Sequence, residues 1–437
     1  ITLKGDNLLT GYGGVNSNDS YPKIIHKIFS MKRRAIIKGL GLLPLGGTFL
    51  GTLFSGESVW ASPASKAKRN LLRELGVRTF INAAGTYTTM TASLMHDEVV
   101  EAIAQSAKEF CMLNEVQDRV GERIAQMVHA EAAMVTAGAF SALTLGMAGI
   151  LTGTDKEKVK QIPHRLEASG IKSEVLLQKG HYDGYEQALH NTGVKLIPVE
   201  TAEDVDRAVN EKTAAMHFLN CNASEGKIMH EEWLQLAKKY NLPATIDIAA
   251  DVPPVSNLWK YNDMGFSFVA ISGGKALRGP QSAGILMGKK DIIIAARLNN
   301  SPNGVTIGRG MKVNKEEMLG MYAALEKYIN QDHDKEWKTW EKRIDVINNA
   351  IKNIEGITTT IVVPPIANHT PTLHVVWDKD KIKISREEFM ERLRNGTPSV
   401  EVIGNKDGGF NTTVFMLNAG EEKIVAKRMK EEFLKVV

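Results

Sequence analysis

The stretch SGGKALRGPQ (Ser272–Gln281) follows directly on the apolar run FSFVAI (Phe266–Ile271). An apolar run of that length, interrupted only by Ser267, reads as a buried strand. Lys275 therefore stands just past the carboxyl end of a strand, the place where open α/β sheets bind their ligands. Gly273 and Gly274 beside it leave room for a close backbone approach. A lysine amine held there and partly desolvated has a lowered pKa and becomes a nucleophile toward an aldehyde.

Working outward, the same kind of short apolar run recurs. SEVLLQ (173–178), VKLIPVE (194–200), AAMHFLN (214–220), PATIDIAA (243–250) and SAGILMG (282–288) read as buried strands. HEEWLQLAKKYNL (230–242) reads as a helix between two of them, and DEVVEAIAQSAKEF (97–110) places Val99, Ile103, Ala107 and Phe110 on one helical face. This alternation predicts an α/β fold with a mostly parallel sheet covered by helices. KEEMLGMYAALEKYI (315–329) and KEWKTWEKRIDVINNAIKNI (335–354) are further helices. After Gly356 the pattern changes. ITTTIVV (357–363), TLHVVW (372–377) and TTVFML (412–417) read as strands, and KIKIS (381–385) as an edge strand with lysines outward. Ser385 and Glu388 form a capping box for a helix ending near Gly396, and an amphipathic helix closes the chain. The expected division is an arm over 62–80, a large domain over 81–330, and a linker helix with a small α/β domain over 331–437.

The chain has 437 residues, 43% hydrophobic and 24% charged, enough for a large core. A formal net charge of +4 over that length argues against a nucleic-acid footprint. Cys111 and Cys221 are far apart and lack metal spacing, which predicts two buried free thiols and no metal site. Residues 1–30 read as an extension outside the fold. From Met31 the chain has the physics of a signal peptide: Lys32-Arg33-Arg34, an uncharged stretch from Gly39 to Gly56, and small residues in VWA (Val59–Ala61). The paired arginines resemble a twin-arginine signal over 31–61, so the expectation is export to the periplasm, with a membrane anchor as the alternative.

The aldehyde that suits Lys275 is pyridoxal phosphate, and the other parts of its site follow in chain order. A protonated pyridine ring is the electron sink and needs an acid partner. Asp247, ending the run ATID, lies twenty-eight residues before Lys275; Asp251 is the alternative, but it lies beyond the strand and next to Pro253-Pro254. A phosphate needs backbone N–H groups at a helix start. Ala137-Gly138-Ala139 opens such a helix, and Ser141 and Ser272 can add hydroxyls. His181 and Tyr182, just after a strand, are candidates to lie on the ring. Arg309, Lys312 and Arg278 are the basic residues suited to an anionic substrate group.

With these blocks in place the chain resembles fold-type-I pyridoxal phosphate enzymes, in the group of bacterial selenocysteine synthase and D-glucosaminate-6-phosphate ammonia lyase. The resemblance is carried by INAAGTYT, VTAGAFSALTLG, QKGHYDGYEQAL, IDIAADVPP, SGGKALRGPQSAGILMGKKDII and GRGMKVNKEEMLGMYAALE. It implies a Schiff base through Lys275, Asp247 at the ring nitrogen, His181 near the ring and a basic residue of GRGMKV at the substrate. It also implies a homodimer or higher homo-oligomer. Ala137, where many relatives carry serine, and Phe140 depart from the pattern. The expected activity is a lyase that releases ammonia and a keto acid from an amino acid or amino-sugar acid. The alternatives are a selenium transferase on seryl-tRNA, an aminotransferase, and a non-catalytic binding protein on the same fold.

Overall fold

A computed structural model describes residues 69–437. The segments expected at 1–30 and 31–61, and the first part of the arm, lie outside the described residues.

Seven strands form the central sheet: β1 Ala132–Thr136, β2 Glu174–Gln178, β3 Lys195–Val199, β4 Thr213–Leu219, β5 Ala244–Asp247, β6 Phe268–Ser272 and β7 Gly284–Gly288. Their order is β1-β7-β6-β5-β4-β2-β3. β2 to β6 pair in parallel, while β7 runs antiparallel to both β1 and β6. The five residues of β7 and all seven of β4 are buried, as expected of strands covered on both faces. β1 is an edge strand, and its outer backbone is not left bare. Gln117 donates from Nε2 to the Val135 carbonyl at 2.7 Å and accepts the Val135 N–H at 3.0 Å, so one side chain occupies the place of a missing strand.

The main helices are α1 Asp97–Ser106, α2 Leu113–Met127, α3 Gly138–Thr152, α4 His230–Lys239, α5 Asn257–Met264, α6 Lys290–Leu298, α7 Lys315–Asn330, α8 His333–Ile351, α9 Arg386–Asn395 and α10 Glu421–Leu434. α3 is apolar nearly all round and eleven of its fifteen residues are buried, so it lies inside the protein. α7 begins with a capping box, Asn314 with Glu317, and α9 with Ser385 accepting the Glu388 N–H.

A smaller four-stranded antiparallel sheet follows: β8 Ile357–Val362, β9 Thr372–Trp377, β10 Ile403–Gly404 and β11 Phe410–Thr413, in the order β10-β11-β9-β8. Its core is aromatic. Phe389 stacks on Phe433 at 4.1 Å and on Phe410 at 5.3 Å between ring centroids. Ile81–Asn82 pairs in parallel with Val400–Glu401, and Ile81 and Ala83 pack in this second core. We expect Phe389→Ala to cost about 3–5 kcal/mol, the usual loss for emptying a buried phenylalanine site. Urea unfolding followed by circular dichroism checks it; a cost under about 1 kcal/mol would mean that the three-ring stack does not carry this core.

Three local readings are corrected. KIKIS is not a strand: Ile382 and Ile384 are buried as their alternation requires, but they do so on an extended connector whose Lys383 N–H meets Val436 rather than a neighbouring strand. The last strand lies at Phe410–Thr413, earlier than expected. Phe110 is fully exposed because α1 ends at Ser106, four residues before it, so the helical period no longer carries it toward the core.

Candidate active site

The sheet register brings the candidate residues to one edge. Thr136, Gly284 and Ser272 lie in one row across β1, β7 and β6. Leu219, Asp247 and Ala270 form the row across β4, β5 and β6. The chain leaves this carboxyl edge after each of β1 to β6, and five of those exits lead to α3, His181, Cys221, Asp251 and Lys275.

The lysine segment is folded back by its own backbone. The Gly273 N–H bonds to the Ala283 carbonyl at 2.9 Å and the Gly279 N–H to Gly273 at 2.8 Å. A Cβ on Gly273 would lie 2.1 Å from Met321 Sδ, and one on Gly274 would lie 2.6 Å from Gln281 Cα. The two glycines thus serve the loop's packing on itself and on α7, not the approach of a ligand. From the amino-terminal side Ser93 Oγ donates to the Gly274 carbonyl at 2.7 Å, and Gln281 Nε2 donates to Thr88. Lys275 is half-buried, and its amine makes no hydrogen bond among the described residues.

Asp247 is 5% exposed, and its Oδ1 accepts the Ala249 N–H at 2.7 Å. Burial pushes its carboxyl up to about 6; the Ala249 N–H and the Lys275 ammonium pull it back, and Asp183 raises it further. A cationic ring nitrogen is the partner such a carboxyl lacks. Gly138, at φ +84°, begins α3, whose N-cap Ala137 supplies no side-chain cap. Ala139 and the first-turn N–H groups are thus left to a ligand. A Cβ on Gly284 would come within 2.5 Å of the Gly138 carbonyl carbon, so β7 supports that turn from beneath. Ser272, last in β6, and Ser141, in the first turn of α3, flank it. A lone lysine, a buried acid and an uncapped helix start on one edge fit pyridoxal phosphate.

His181 is placed differently from its expected position on the ring. It has no exposed surface. Its Nδ1 accepts the Leu219 N–H at 3.2 Å, and its ring packs edge-on against Phe218. Burial, with a smaller push from His230, lowers its pKa to about 4, so the ring is neutral. It braces β4 against the turn after β2. Tyr182 beside it is 39% exposed. Arg278 holds φ +55°, a left-handed conformation uncommon for arginine, with Nε donating to the Leu94 carbonyl at 2.7 Å and Glu336 and Arg343 nearby. Arg309 and Lys312 are exposed on the segment between α6 and α7. That segment leads into the first turn of α7, where Glu317 bonds to Ser282, next to Ala283 of the lysine loop. Neither bonds to Lys275 or Asp247 among the described residues.

Two neighbours, Cys221 and Asp183, were not in the expected set, and a third, Asp251, was the alternative to Asp247. Cys221 follows β4, with Sγ 4.0 Å from Asp183 Oδ2. Burial first, then the charges of Asp251, Asp247 and Asp183, push its thiol up to about 12. Asp251 is 2% exposed. All three stand just past strand ends, the signal that singled out Lys275. The expectation of two buried thiols is corrected: Cys111 is exposed and Cys221 is half-buried.

Residues 77–355 match the family described as SelA, L-seryl-tRNA selenium transferase. The chain is 25% identical over 377 residues to D-glucosaminate-6-phosphate ammonia lyase of Salmonella typhimurium, covering 83% of this chain and 97% of that protein. It is 24% identical over 399 residues to L-seryl-tRNA(Sec) selenium transferase of Clostridium botulinum, covering 80% of this chain and 74% of the transferase. The solved structure of a D-glucosaminate-6-phosphate ammonia-lyase superposes with a TM-score of 0.74 at 24% identity, over 85% of this chain and all of that one. These relatives and structural neighbours are pyridoxal-phosphate-dependent enzymes. They also correct the expectation of export or anchoring, because they are cytoplasmic enzymes. No helix among the described residues is long and apolar enough to cross a membrane. Its family match, fold and carboxyl-edge lysine place the chain in the L-seryl-tRNA selenium transferase family of fold-type-I pyridoxal phosphate enzymes.

Proposed function

We propose that this protein is a pyridoxal-phosphate-dependent lyase that releases ammonia and a keto acid from an amino acid or amino-sugar acid. The observation that carries the reading is the half-buried Lys275 just past the carboxyl end of β6, close enough for its charge to act on the buried Asp247. When bound, the cofactor supplies an electron sink for the pair left at the substrate's Cα.

In this reading Lys275 holds the cofactor covalently and, once displaced, takes the proton from Cα. Asp247 keeps the ring nitrogen protonated. The free N–H groups of Gly138 and Ala139 at the α3 start, with the Ser272 hydroxyl, receive the phosphate. Arg309, Lys312 and Arg278 are the basic groups available to a substrate carboxylate or phosphate. Coverage supports the lyase over the transferase: the chain spans 97% of the ammonia lyase but 74% of the selenium transferase. The net charge of +4 adds no basic face for a tRNA. We also propose a homodimer or larger homo-oligomer. Large apolar side chains left open between residues 71 and 112, Leu94 and Phe110 among them, support it.

The test is a screen of amino acids and amino-sugar acids, with and without a phosphate, for ammonia and keto acid release by the cofactor-loaded protein. Stoichiometric release of both from one class establishes the lyase. Keto acid without free ammonia, dependent on an added keto acid acceptor, would make it an aminotransferase. No ammonia release from any of them, with the serine hydroxyl of charged seryl-tRNA replaced by selenium from an added selenium donor, would make it the transferase.

A further inference from the structure

Four residues past Asp247 a second carboxyl is buried at the same edge. Asp251 Oδ2 accepts from Asn220 Nδ2 at 2.9 Å, while Asp251 Oδ1 is buried and has no hydrogen-bond partner. The hydrogens around it can be counted. Asn220 gives its second amide hydrogen to Tyr261 Oη at 2.9 Å, and Asn220 Oδ1 meets His230 Nε2 at 2.6 Å, so that ring nitrogen is the donor. Oδ2 is thus committed as an acceptor, and a proton on this carboxyl belongs on Oδ1.

Every element packed against Asp251 contributes to this balance. Asp247 faces it from β5 and Lys275 from the loop after β6. Asn220 and Cys221 face it from the turn after β4. Tyr261 of α5 and His230 of α4 lie behind Asn220, and burial with Lys260 nearby keeps His230 below its ordinary pKa. The loop after β8 also packs here: the Ala367 backbone N–H pulls the Asp251 pKa back down without forming a hydrogen bond to Oδ1, and the Asn368 N–H bonds to the Ala250 carbonyl at 2.8 Å. Lys275 is the one cation in the set, and it is shared with Asp247. An ionised oxygen buried without a donor is unfavourable, and two such carboxylates cannot share one ammonium cheaply. Burial first, then the like charge of Asp247, push Asp251 up to about 7, and its unpartnered Oδ1 is where the proton is held.

We propose that Asp251 is a positioning residue that carries its proton on Oδ1, so that Asp247 remains the single ionised carboxyl available to the ring nitrogen. The proposal rests on the cofactor reading above. Asp251 acts through Asp247 and touches no reacting atom.

The test begins without cofactor. The protein is labelled with 13C at the aspartate carboxyls and titrated by NMR, beside Asp251→Asn and Asp247→Asn. The two resonances are assigned by their absence from the matching variant. If Asp251 is the protonated partner, the Asp247 midpoint stays unchanged in Asp251→Asn, whereas the Asp251 midpoint falls in Asp247→Asn. A fall of the Asp247 midpoint in Asp251→Asn would mean that Asp251 ionises first, and the proposal is lost. Should Asp251→Asn not fold, the Asp247→Asn arm still reads Asp251 directly. With pyridoxal phosphate added, Asp251→Asn should keep the visible band of the wild type at neutral pH, and its loss would overturn the proposal. A wild type that takes up no cofactor would instead defeat the lyase reading, while the order of titration still judges Asp251.

Discussion

Lys275→Ala is expected to give a folded, colourless protein that no longer turns over substrate. The loop that carries Lys275 is held by backbone bonds among Gly273, Gly279 and Ala283 and by Ser93 on Gly274. The lysine side chain contributes none of these, so removing it leaves the loop in place. What is lost is the amine that takes up the cofactor and moves the Cα proton. A positioned proton-transfer group alone contributes roughly 10²–10⁴-fold, and loss of the covalent link adds to it. The measurement is the visible absorption spectrum of wild type and variant with pyridoxal phosphate, before and after borohydride, together with ammonia release. A yellow wild type bleached by borohydride beside a colourless variant is the expected pair. Wild-type turnover in Lys275→Ala would remove the lysine from the mechanism.

Asp247→Asn is expected to move activity and stability in opposite directions. An asparagine cannot hold a proton on the ring nitrogen, and turnover should fall by a factor comparable to that for a proton-transfer group, roughly 10²–10⁴. Stability without cofactor behaves otherwise. Burial raises the folded-state pKa of Asp247 from its ordinary 3.8 to about 6. The folded state therefore binds the proton more tightly than the unfolded chain. The fold is favoured while the acid is protonated, loses stability as pH rises from about 3.8 to about 6, and stays at the lower level above. The neutral amide removes that penalty. The cofactor-free variant should be more stable than wild type at neutral pH by on the order of 1–3 kcal/mol, and equal to it in acid. Urea midpoints at the two pH values read this difference. A variant less stable than wild type at neutral pH would show that Asp247 is held ionised by partners other than a ligand.

Both predictions rest on a juxtaposition that the sequence alone announces only in part. Lys275 and Asp247 were legible because each ends an apolar run, and strand ends in α/β sheets collect at one edge. The uncapped start of α3 was legible for a related reason: Ala137-Gly138-Ala139 offers no side chain to satisfy the first N–H groups. Cys221 and Asp183 obey the same strand-end rule but lacked a chemistry that would have picked them out. His181 carried the opposite risk. Its position after β2 suggested a ring open to the site, yet Leu219 N–H and Phe218 draw it into the core.

What this sequence determined by itself is the set of periods: apolar runs that must be buried strands, helices with one greasy face, glycines and caps at their ends, and a lysine just past β6. These follow from forces acting within a few residues. The tertiary structure decided which ends meet. The order β1-β7-β6-β5-β4-β2-β3 places β5 between β4 and β6, and so brings Asn220, Cys221, Asp247, Asp251 and Lys275 together although they are spread over fifty-six residues of chain. The same packing exposed Phe110 and turned KIKIS into a connector. Strand order is a property of the whole buried core, and no local pattern encodes whether a given side chain will face a ligand or a neighbouring ring.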